Sequence, residues 1–253
     1  MTGIEIENVL ISLVLAAIAL AIGHFWKIPV QRNMSVGIVR SFIQLIAVGY
    51  ALKYVFDLES VWLISAVILV MIIVGSHASY SMSKKVRGAF LISFTAIAAG
   101  SLVTLGLMLL LKIITYEARF IIPLSGMIIS NAMNAAALAI NRLSSDIKSN
   151  RLAIETALSL GKGKRESSRP YQKQAVVAGM TSILNFMKTV GIVALPGAMT
   201  GMILAGAEPI EAVFWQLIVA YMLLSSVTIS SITAIELTTT KYFTPYHQLK
   251  SEI

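Results

Sequence analysis

"AFLISFTAIAAGSLVTLGLMLLL", residues 89–111, decides the fold class of this chain. The stretch carries no charged side chain. It is longer than the run of about 20 apolar residues that a helix needs to cross a bilayer. Similar runs recur along the chain, which has 253 residues, 57% of them hydrophobic and 13% charged. A soluble domain of this size carries about 25% charged residues. The sequence therefore predicts an all-α integral membrane protein.

The apolar runs predict seven membrane-spanning helices in a single transmembrane domain that covers residues 1–253. The expected spans are 7–26, 35–55, 60–80, 89–112, 119–141, 180–205 and 210–236. The longest connection is loop five, residues 142–174, between the fifth and sixth spans.

Basic residues concentrate in the odd-numbered loops. Loop three carries Lys84, Lys85 and Arg87. Loop five carries Arg142, Lys148, Arg151, Lys162, Lys164, Arg165, Arg169 and Lys173. Loop six, residues 205–209, carries no base. The positive-inside rule then predicts an outside N-terminus, a cytoplasmic C-terminus and cytoplasmic odd loops, although Lys53, Lys112 and Arg119 oppose the bias. Topology explains the net charge of +8, so membrane lipid rather than nucleic acid is the expected partner of these bases.

Loop five contains "ETALSLGKGKRE", residues 155–166, which indicates a short amphipathic helix followed by a basic turn. Ile147, Ile154, Leu158 and Gly161 fall at helical spacing on one face. Two interpretations follow from the pattern alone. The helix could lie on the anionic inner leaflet, or it could dock into a groove on a soluble partner.

The "GKGK" in this segment does not form a phosphate-binding loop. Such a loop requires a glycine five residues before Gly163-Lys164 and a Ser or Thr after the lysine. The sequence has Leu158 and Arg165 at those positions. Any nucleotide chemistry is therefore expected on another chain.

The residues for enzymatic chemistry are missing from the predicted spans. The two aspartates, Asp57 and Asp146, fall in loops, and the three histidines, His24, His77 and His247, are not spaced as zinc ligands. The chain contains no cysteine. The sequence thus predicts a protein that is not an enzyme, with no cofactor and with unknown metal ligands.

Four stretches carry a family resemblance. Glu155, Ala157 and Gly161 resemble the coupling helix by which permease subunits of ATP-binding-cassette (ABC) transporters contact their ATPases, with Thr156 where the motif usually has alanine. The other three are "VRSFIQLIAVGYAL" (39–52), "IPLSGMIISNAMNAAALAINRL" (122–143) and "MKTVGIVALPGAMTGMILAGAEPIEAVFWQ" (187–216). Together they resemble the bacterial iron-export permease family, which is related to the plant aluminium-sensitivity proteins.

This resemblance implies a multi-pass permease in the cell membrane that pairs with a separate ABC ATPase subunit. Two permease and two ATPase chains would make the full transporter, and the coupling helix would dock on the ATPase. The implied activity is export of a metal ion, iron, from the cytoplasm. A nucleotide sugar as substrate, or a channel or scaffold without an ATPase, are the alternatives.

Polar or irregular features inside three predicted spans are candidates for the translocation path. They are Arg40 and Gln44 in span two, Met127, Asn131 and Asn134 in span five, and Pro196, Gly197 and Met199 in span six. Each group also has a structural interpretation: snorkelling of the arginine, hydrogen bonds between helices for the asparagines, and a packing kink at the proline. We expect all three groups to line one cavity at a homodimer interface. Lys188 is expected to lie toward the cytoplasmic side.

Overall fold

The apolar runs form helices in the computed structural model, which describes residues 6–29, 31–58, 60–83, 86, 88–244, 246 and 248–250. Lys84, Lys85, Arg87 and His247 lie outside the described residues. Within them the chain forms nine helices, and β pairing is limited to two isolated bridges. The helices are α1 (Ile6–Phe25), α2 (Gln31–Leu58), α3 (Val61–Met82), α4 (Ala89–Leu110), α5 (Ala118–Ser149), α6 (Arg151–Ser159), α7 (Lys164–Thr189), α8 (Gly197–Leu204) and α9 (Pro209–Tyr242).

The chain divides into two compact units, Met1–Glu59 and Ser60–Ile253. The first unit contains α1 and α2, which contact each other where Gly23 faces the thioether of Met34. Most side chains of α2 are exposed. The second unit contains the seven remaining helices.

In the second unit α3 and α4 form an antiparallel pair, with the Ser79 and Ser93 hydroxyls 3.0 Å apart near their connection. The amide of Asn141 donates to the carbonyl of Met82 at 2.9 Å, and Tyr116 contacts Val61 at the other end of the helix pair. These contacts at both ends show that α3 and α5 run in the same direction.

Helix α9 occupies the centre of this bundle because it contacts α4, α5, α7 and α8. A Cβ at Gly100 of α4 would lie 2.7 Å from the carbonyl oxygen of Ser226, so the glycine permits the close approach of α4 to α9. On α7, the Gln172 amide donates to Thr239 of α9 at 3.2 Å. Small residues at such crossings let helix backbones pack closely in a membrane.

We call the end of the bundle that carries α6 the basic end. The described bases there include Arg142, Lys148, Lys162 and Arg165. A buried apolar cluster fills this end, with residues from α4, α5, α6, α7, α9 and the C-terminal segment. The sequence-based grouping of these bases at one end therefore agrees with the fold, while the orientation in the membrane stays a prediction.

In the part of the chain that the structure describes, five helices are long and apolar enough to cross a membrane: α2 over Gln31–Phe56, α3, α4, α5 and α9. These match five of the seven predicted spans. For the first span, the apolar stretch among the described residues is the shorter Val9–Phe25. The predicted sixth span, 180–205, is not one continuous helix, because α7 ends at Thr189 and α8 begins at Gly197.

Loop five is largely helical. The last turns of α5, all of α6 and the first turns of α7 occupy residues 142–174. The continuous apolar run ends near residue 141, whereas the helices continue because they pack on one another through Leu143, Ile147 and Ile154. Tertiary contacts thus extend helices beyond the apolar pattern that defines the membrane spans.

Candidate functional site

Helix α6 has one face buried in its own bundle. Ile154 is 1% exposed and lies in the cluster with Leu143 and Ile147 of α5, and the half-buried Leu158 packs against the same cluster. Ile154 and Leu158 are two of the four residues that the helical spacing groups, whereas Ile147 belongs to α5 and Gly161 follows α6. Because the protein core covers this face, neither lipid nor a soluble partner contacts α6 through it.

The opposite face of α6 is exposed and largely apolar. Leu152 and Leu160 are each 78% exposed, and Thr156 lies between them at intervals of four residues. The Thr156 hydroxyl donates to the carbonyl of Leu152 at 2.8 Å, so its polar group is satisfied within the helix. Residues at i, i+4 and i+8 follow one side of a helix. This outer face of α6, Leu152–Thr156–Leu160, presents a short apolar strip at the basic end.

Gly161 ends α6 with a Schellman cap. Its φ is +87°, its amide donates to Leu158 at 3.0 Å, and the Lys162 amide donates to the carbonyl of Ala157 at 3.1 Å. A left-handed residue at this position is usually glycine. No atom lies within 4 Å of the position that a Gly161 Cβ would take, so the constraint within the chain is the backbone conformation and not a close approach.

Ion pairs orient the segment around α6. Glu155 pairs with Arg151 at 2.9 Å, and Lys162 lies 3.7 Å from Glu166. Arg165 donates to Glu236 of α9 at 2.8 Å, and this hydrogen bond and the glutamate charge raise the pKa of Arg165. Exposed pairs of this kind add little to stability. They keep α6 and the first turn of α7 in position instead.

The C-terminal segment folds back toward α6. The Lys250 amide donates to the carbonyl of Tyr242 at 3.0 Å, and Leu249 is buried in the basic-end cluster. A cleft of about 470 Å³ lies between this segment and α6. Its lining residues are Glu155, Leu158, Ser159, Lys162, Tyr246, Gln248 and Leu249.

The asparagines of α5 lie on the outer surface of the second unit. Asn134 is exposed and Met127 and Asn131 are half-buried. The Asn131 amide donates to the carbonyl of Met127 in its own helix at 2.8 Å, whereas Asn134 makes no hydrogen bond within the described part of the chain. Hydrogen bonding between helices accounts for Asn141, which reaches Met82, but not for Asn131 or Asn134.

Helix α7 carries two polar residues at the level of Asn131 and Asn134 along the bundle axis. A Cβ at Gly179 would lie 2.8 Å from the carbonyl oxygen of Ala135 and 3.2 Å from the Ala139 Cβ. Because α5 and α7 are antiparallel, Ser182 and Asn185 then lie at the level of Asn134 and Asn131. Both are exposed, and at 100° per residue they lie about 60° and 120° around α7 from Gly179.

Sequence reasoning did not select Ser182 and Asn185. Their three-residue spacing indicates one helix face, but their level beside Asn134 and Asn131 follows only from the Gly179 contact with Ala135 and Ala139. We call the surface formed by Met127, Asn131 and Asn134 with Ser182 and Asn185 the polar face.

The chain is irregular between α7 and α8. The carbonyl of Thr189 accepts hydrogen bonds from the amides of Ile192, Val193 and Ala194 at 3.2, 2.9 and 3.2 Å. From the Gly179 register, Thr189 lies opposite residue 127 of α5, about 14 Å along the axis from Ala118. The break therefore lies well below the end of the bundle, at membrane depth. Irregular backbone is tolerated there only within protein or beside water.

Helix α8 packs on α9 and buries none of its own residues. Pro196 is its N-cap, and the Thr200 hydroxyl donates to the Pro196 carbonyl at 3.1 Å. Gly197 is exposed and Met199 is half-buried. A Cβ at Gly197 would meet no atom within 4 Å, so this glycine serves no close helix packing within the chain.

Lys188 is exposed in the last turn of α7, 24 residues after the helix begins at the basic end. The expectation that Lys188 lies toward the cytoplasmic side assumed that span six began near residue 180. Because α7 begins at Lys164, its last turn lies in the part of the bundle farther from the basic end.

Arg40 and Gln44 belong to the first unit. Both are exposed and line an open groove along α2 with Ser35, Val36, Val39 and Ile43. Their place beside the polar face stays a prediction. In the second unit, Glu236 pairs with Arg165 at 2.8 Å.

The described residues contain no group of three or more His, Cys, Asp or Glu that could hold a metal ion. The polar face instead offers amide and hydroxyl oxygens and a thioether. Such neutral donors bind cations weakly, and the thioether favours soft metals.

The apolar helices among the described residues define a multi-pass, all-α membrane protein. Residues 6–243 match the family described as "Uncharacterised protein family (UPF0014)", and the chain belongs to this family.

Three relatives illustrate the range of the family. The chain is 34% identical over 243 residues to "Protein ALUMINUM SENSITIVE 3" of Arabidopsis thaliana, covering 96% of this chain and 89% of the relative. It is 35% identical over 243 residues to "Probable iron export permease protein FetB" of Escherichia coli, covering 96% and 94%. It is 35% identical over 240 residues to "UPF0014 membrane protein YjkA" of Bacillus subtilis, covering 95% and 96%. No solved structure matches significantly.

Proposed function

We propose that this chain is the membrane-spanning permease subunit of an ABC transporter and that a separate ATPase docks on the outer face of α6. The observation that carries the proposal is the two-sided packing of α6. Ile154 fixes the helix to the bundle at 1% exposure, while Leu152 and Leu160 remain 78% exposed at the basic end. A rigidly held helix with an exposed apolar strip suits a helix-in-groove contact. It can also transmit movement of the partner to α5 and α7.

The cargo of this permease is a metal ion, iron, moved out of the cytoplasm. The name of the Escherichia coli relative, "Probable iron export permease protein FetB", supports this substrate and direction. The weak neutral donors of the polar face also suit an ion that must bind briefly and leave. A nucleotide sugar is the second candidate substrate, favoured by the absence of a closed metal site among the described residues.

The translocation path of the proposal follows the polar face to the break between α7 and α8. Met127, Asn131 and Asn134 form one wall, and the Pro196–Met199 region allows α8 to move relative to α7. Discontinuous helices near the bilayer midplane are common at transporter sites. Arg40 and Gln44 join this path in the assembled protein.

The basic end is cytoplasmic in the proposed orientation, because the positive-inside rule favours it. The N-terminus is then outside and the C-terminus cytoplasmic. The ATPase meets α6 on the cytoplasmic side, where ATP is available.

Co-purification tests the proposal. The cysteine-free chain carries an affinity tag and is extracted in mild detergent with its ABC ATPase co-expressed. We expect the ATPase to remain bound, and its ATP hydrolysis to rise when iron is added. A permease that never retains an ATPase would instead support a channel or scaffold.

A further inference from the structure

We propose that a second copy of the chain packs against the polar face, with α5 of one copy lying beside α5 of the other about a two-fold axis. This inference names the interface of the homodimer, and it rests on the proposed function for the number of chains. Four observations on the second unit carry it.

The first observation is the spacing of residues along α5. Starting at Met127, one row alternates steps of four and three residues over most of the helix. Its members are Met127, Asn131, Asn134, Leu138, Asn141, Ser145 and Lys148. A spacing of 3.5 residues per turn keeps a row in register with a partner helix as the two wrap around each other. A row facing only lipid has no need of such spacing.

The second observation is the contrast in burial between this row and the side of α5 that packs in the bundle. All seven members are exposed or half-buried, and Leu138 is 44% exposed. The neighbouring Ala132, Ala135, Ala136 and Ala139 are 2% exposed or less. Helix α3 covers one flank, where Gly126 faces Met71, and α7 covers the other, where Gly179 meets Ala135. The row is therefore the side of α5 that its own bundle leaves uncovered.

The third observation is chemical self-complementarity. An asparagine amide carries both a donor and an acceptor, so it can pair with an identical residue across a two-fold axis. Asn134 makes no hydrogen bond within the described part of the chain, and an unsatisfied polar group in hydrocarbon is expensive. Pairing with the same asparagine of a second copy satisfies both groups. Leu138 supplies apolar contact one turn away.

The fourth observation is that the described residues provide one coupling helix. A transporter with two ATPase chains needs one α6 for each of them. A two-fold axis along the membrane normal places both α6 helices at the basic end, so both face the same side of the membrane. An axis in the membrane plane would separate them.

The second copy also completes the path. In one chain Asn131 and Asn134 line an open surface, with Ser182 and Asn185 beside them. When two copies pack along α5, Asn134 of each copy lies at the seam between them, and the path runs beside this seam. The serine and asparagine of each α7 then flank it.

Disulfide cross-linking tests the interface, because the native chain contains no cysteine. Asn134→Cys and Leu138→Cys are each oxidised in native membranes and separated on non-reducing gels. Leu102→Cys on α4, where Leu102 is 58% exposed, is the matched control for collisions between copies. We expect covalent dimers severalfold more abundant for the α5 variants than for Leu102→Cys. Equal or lower yields for the α5 variants would overturn the inference.

An intramolecular partner is tested in the same membranes. The double variant Asn134→Cys/Gln44→Cys reports whether α2 of the same chain covers the polar face instead. We expect dimers that persist in this variant. Cross-linking within one chain and loss of the dimer would overturn the proposal.

The experiments distinguish a failure of the α5 interface from a failure of the ABC pairing. Retention of the ATPase by the Leu138→Cys variant before oxidation shows that the permease is assembled, whatever the cross-linking result. Dimers through α5 without any bound ATPase would sustain the interface and refute the ABC pairing. ATPase binding without dimers through α5 would support the ABC pairing and refute the α5 interface.

Discussion

The outer face of α6 gives the sharpest test of ATPase docking. The perturbation is the double substitution Leu152→Ala/Leu160→Ala, which removes three side-chain carbons at each position. Moving three carbons from water into an apolar contact is worth about 2.4 kcal/mol. Each leucine is 78% exposed before docking, so full burial in the partner gains about 1.9 kcal/mol per residue. We expect the double variant to bind its ATPase roughly 500-fold more weakly.

The same change should leave the permease itself intact, since neither side chain packs in the bundle. Ile154→Ala is the matched control because Ile154 is 1% exposed in the basic-end cluster. That substitution should cost the permease about 2–5 kcal/mol of stability. Affinity is measured by titrating purified ATPase onto detergent-solubilised permease, and stability by thermal unfolding monitored in parallel. The reasoning is refuted if the double variant binds like the wild type, or if it unfolds as readily as Ile154→Ala.

Three further predictions follow from the fold and its orientation. A cysteine at Lys164 should resist an impermeant thiol reagent added to intact cells, whereas a cysteine at Ala207 should react; the opposite pattern would reverse the orientation. Gly100→Ala should lower the free energy of unfolding by about 1–3 kcal/mol through overpacking, because its Cβ would approach the Ser230 hydroxyl and the Ser226 carbonyl. Gly106→Ala should leave the stability unchanged in the same thermal-unfolding assay, because no atom lies within 4 Å of its Cβ. Asn134→Leu should reduce iron-stimulated ATP hydrolysis while basal hydrolysis and expression persist, and unchanged stimulation would place the path elsewhere.

The helical class and the grouping of loop five at one end follow from simple patterns. Apolar runs of sufficient length report membrane spans because hydrocarbon forces the backbone to bond internally. The spacing of Ile154 and Leu158 likewise predicts one apolar face of α6. What covers that face depends on tertiary packing, and the pattern could not distinguish lipid, a partner or the protein core.

The sixth predicted span, residues 180–205, shows a second feature that the sequence pattern predicts only in part. "LPGAMTG" predicts an irregular backbone, and the break between α7 and α8 confirms it. The polar start of α7 gives no hydropathy signal, so the long helix from Lys164 to Thr189 was missed. Its length follows from contacts such as Gln172 with Thr239. Consequently the sequence pattern did not show that Lys188 lies far from the basic end, and Ser182 and Asn185 could not be assigned to the polar face.

The central claim, ATP-driven export through an ABC permease, is tested most directly by transport in inside-out vesicles. The chain and its ATPase are reconstituted with α6 exposed to the external medium, and uptake of iron into the lumen is followed after ATP addition. We predict ATP-dependent accumulation of iron that is lost in the Leu152→Ala/Leu160→Ala double variant and in a hydrolysis-deficient ATPase. Iron movement of equal rate without ATP, or with the double variant, would contradict the account.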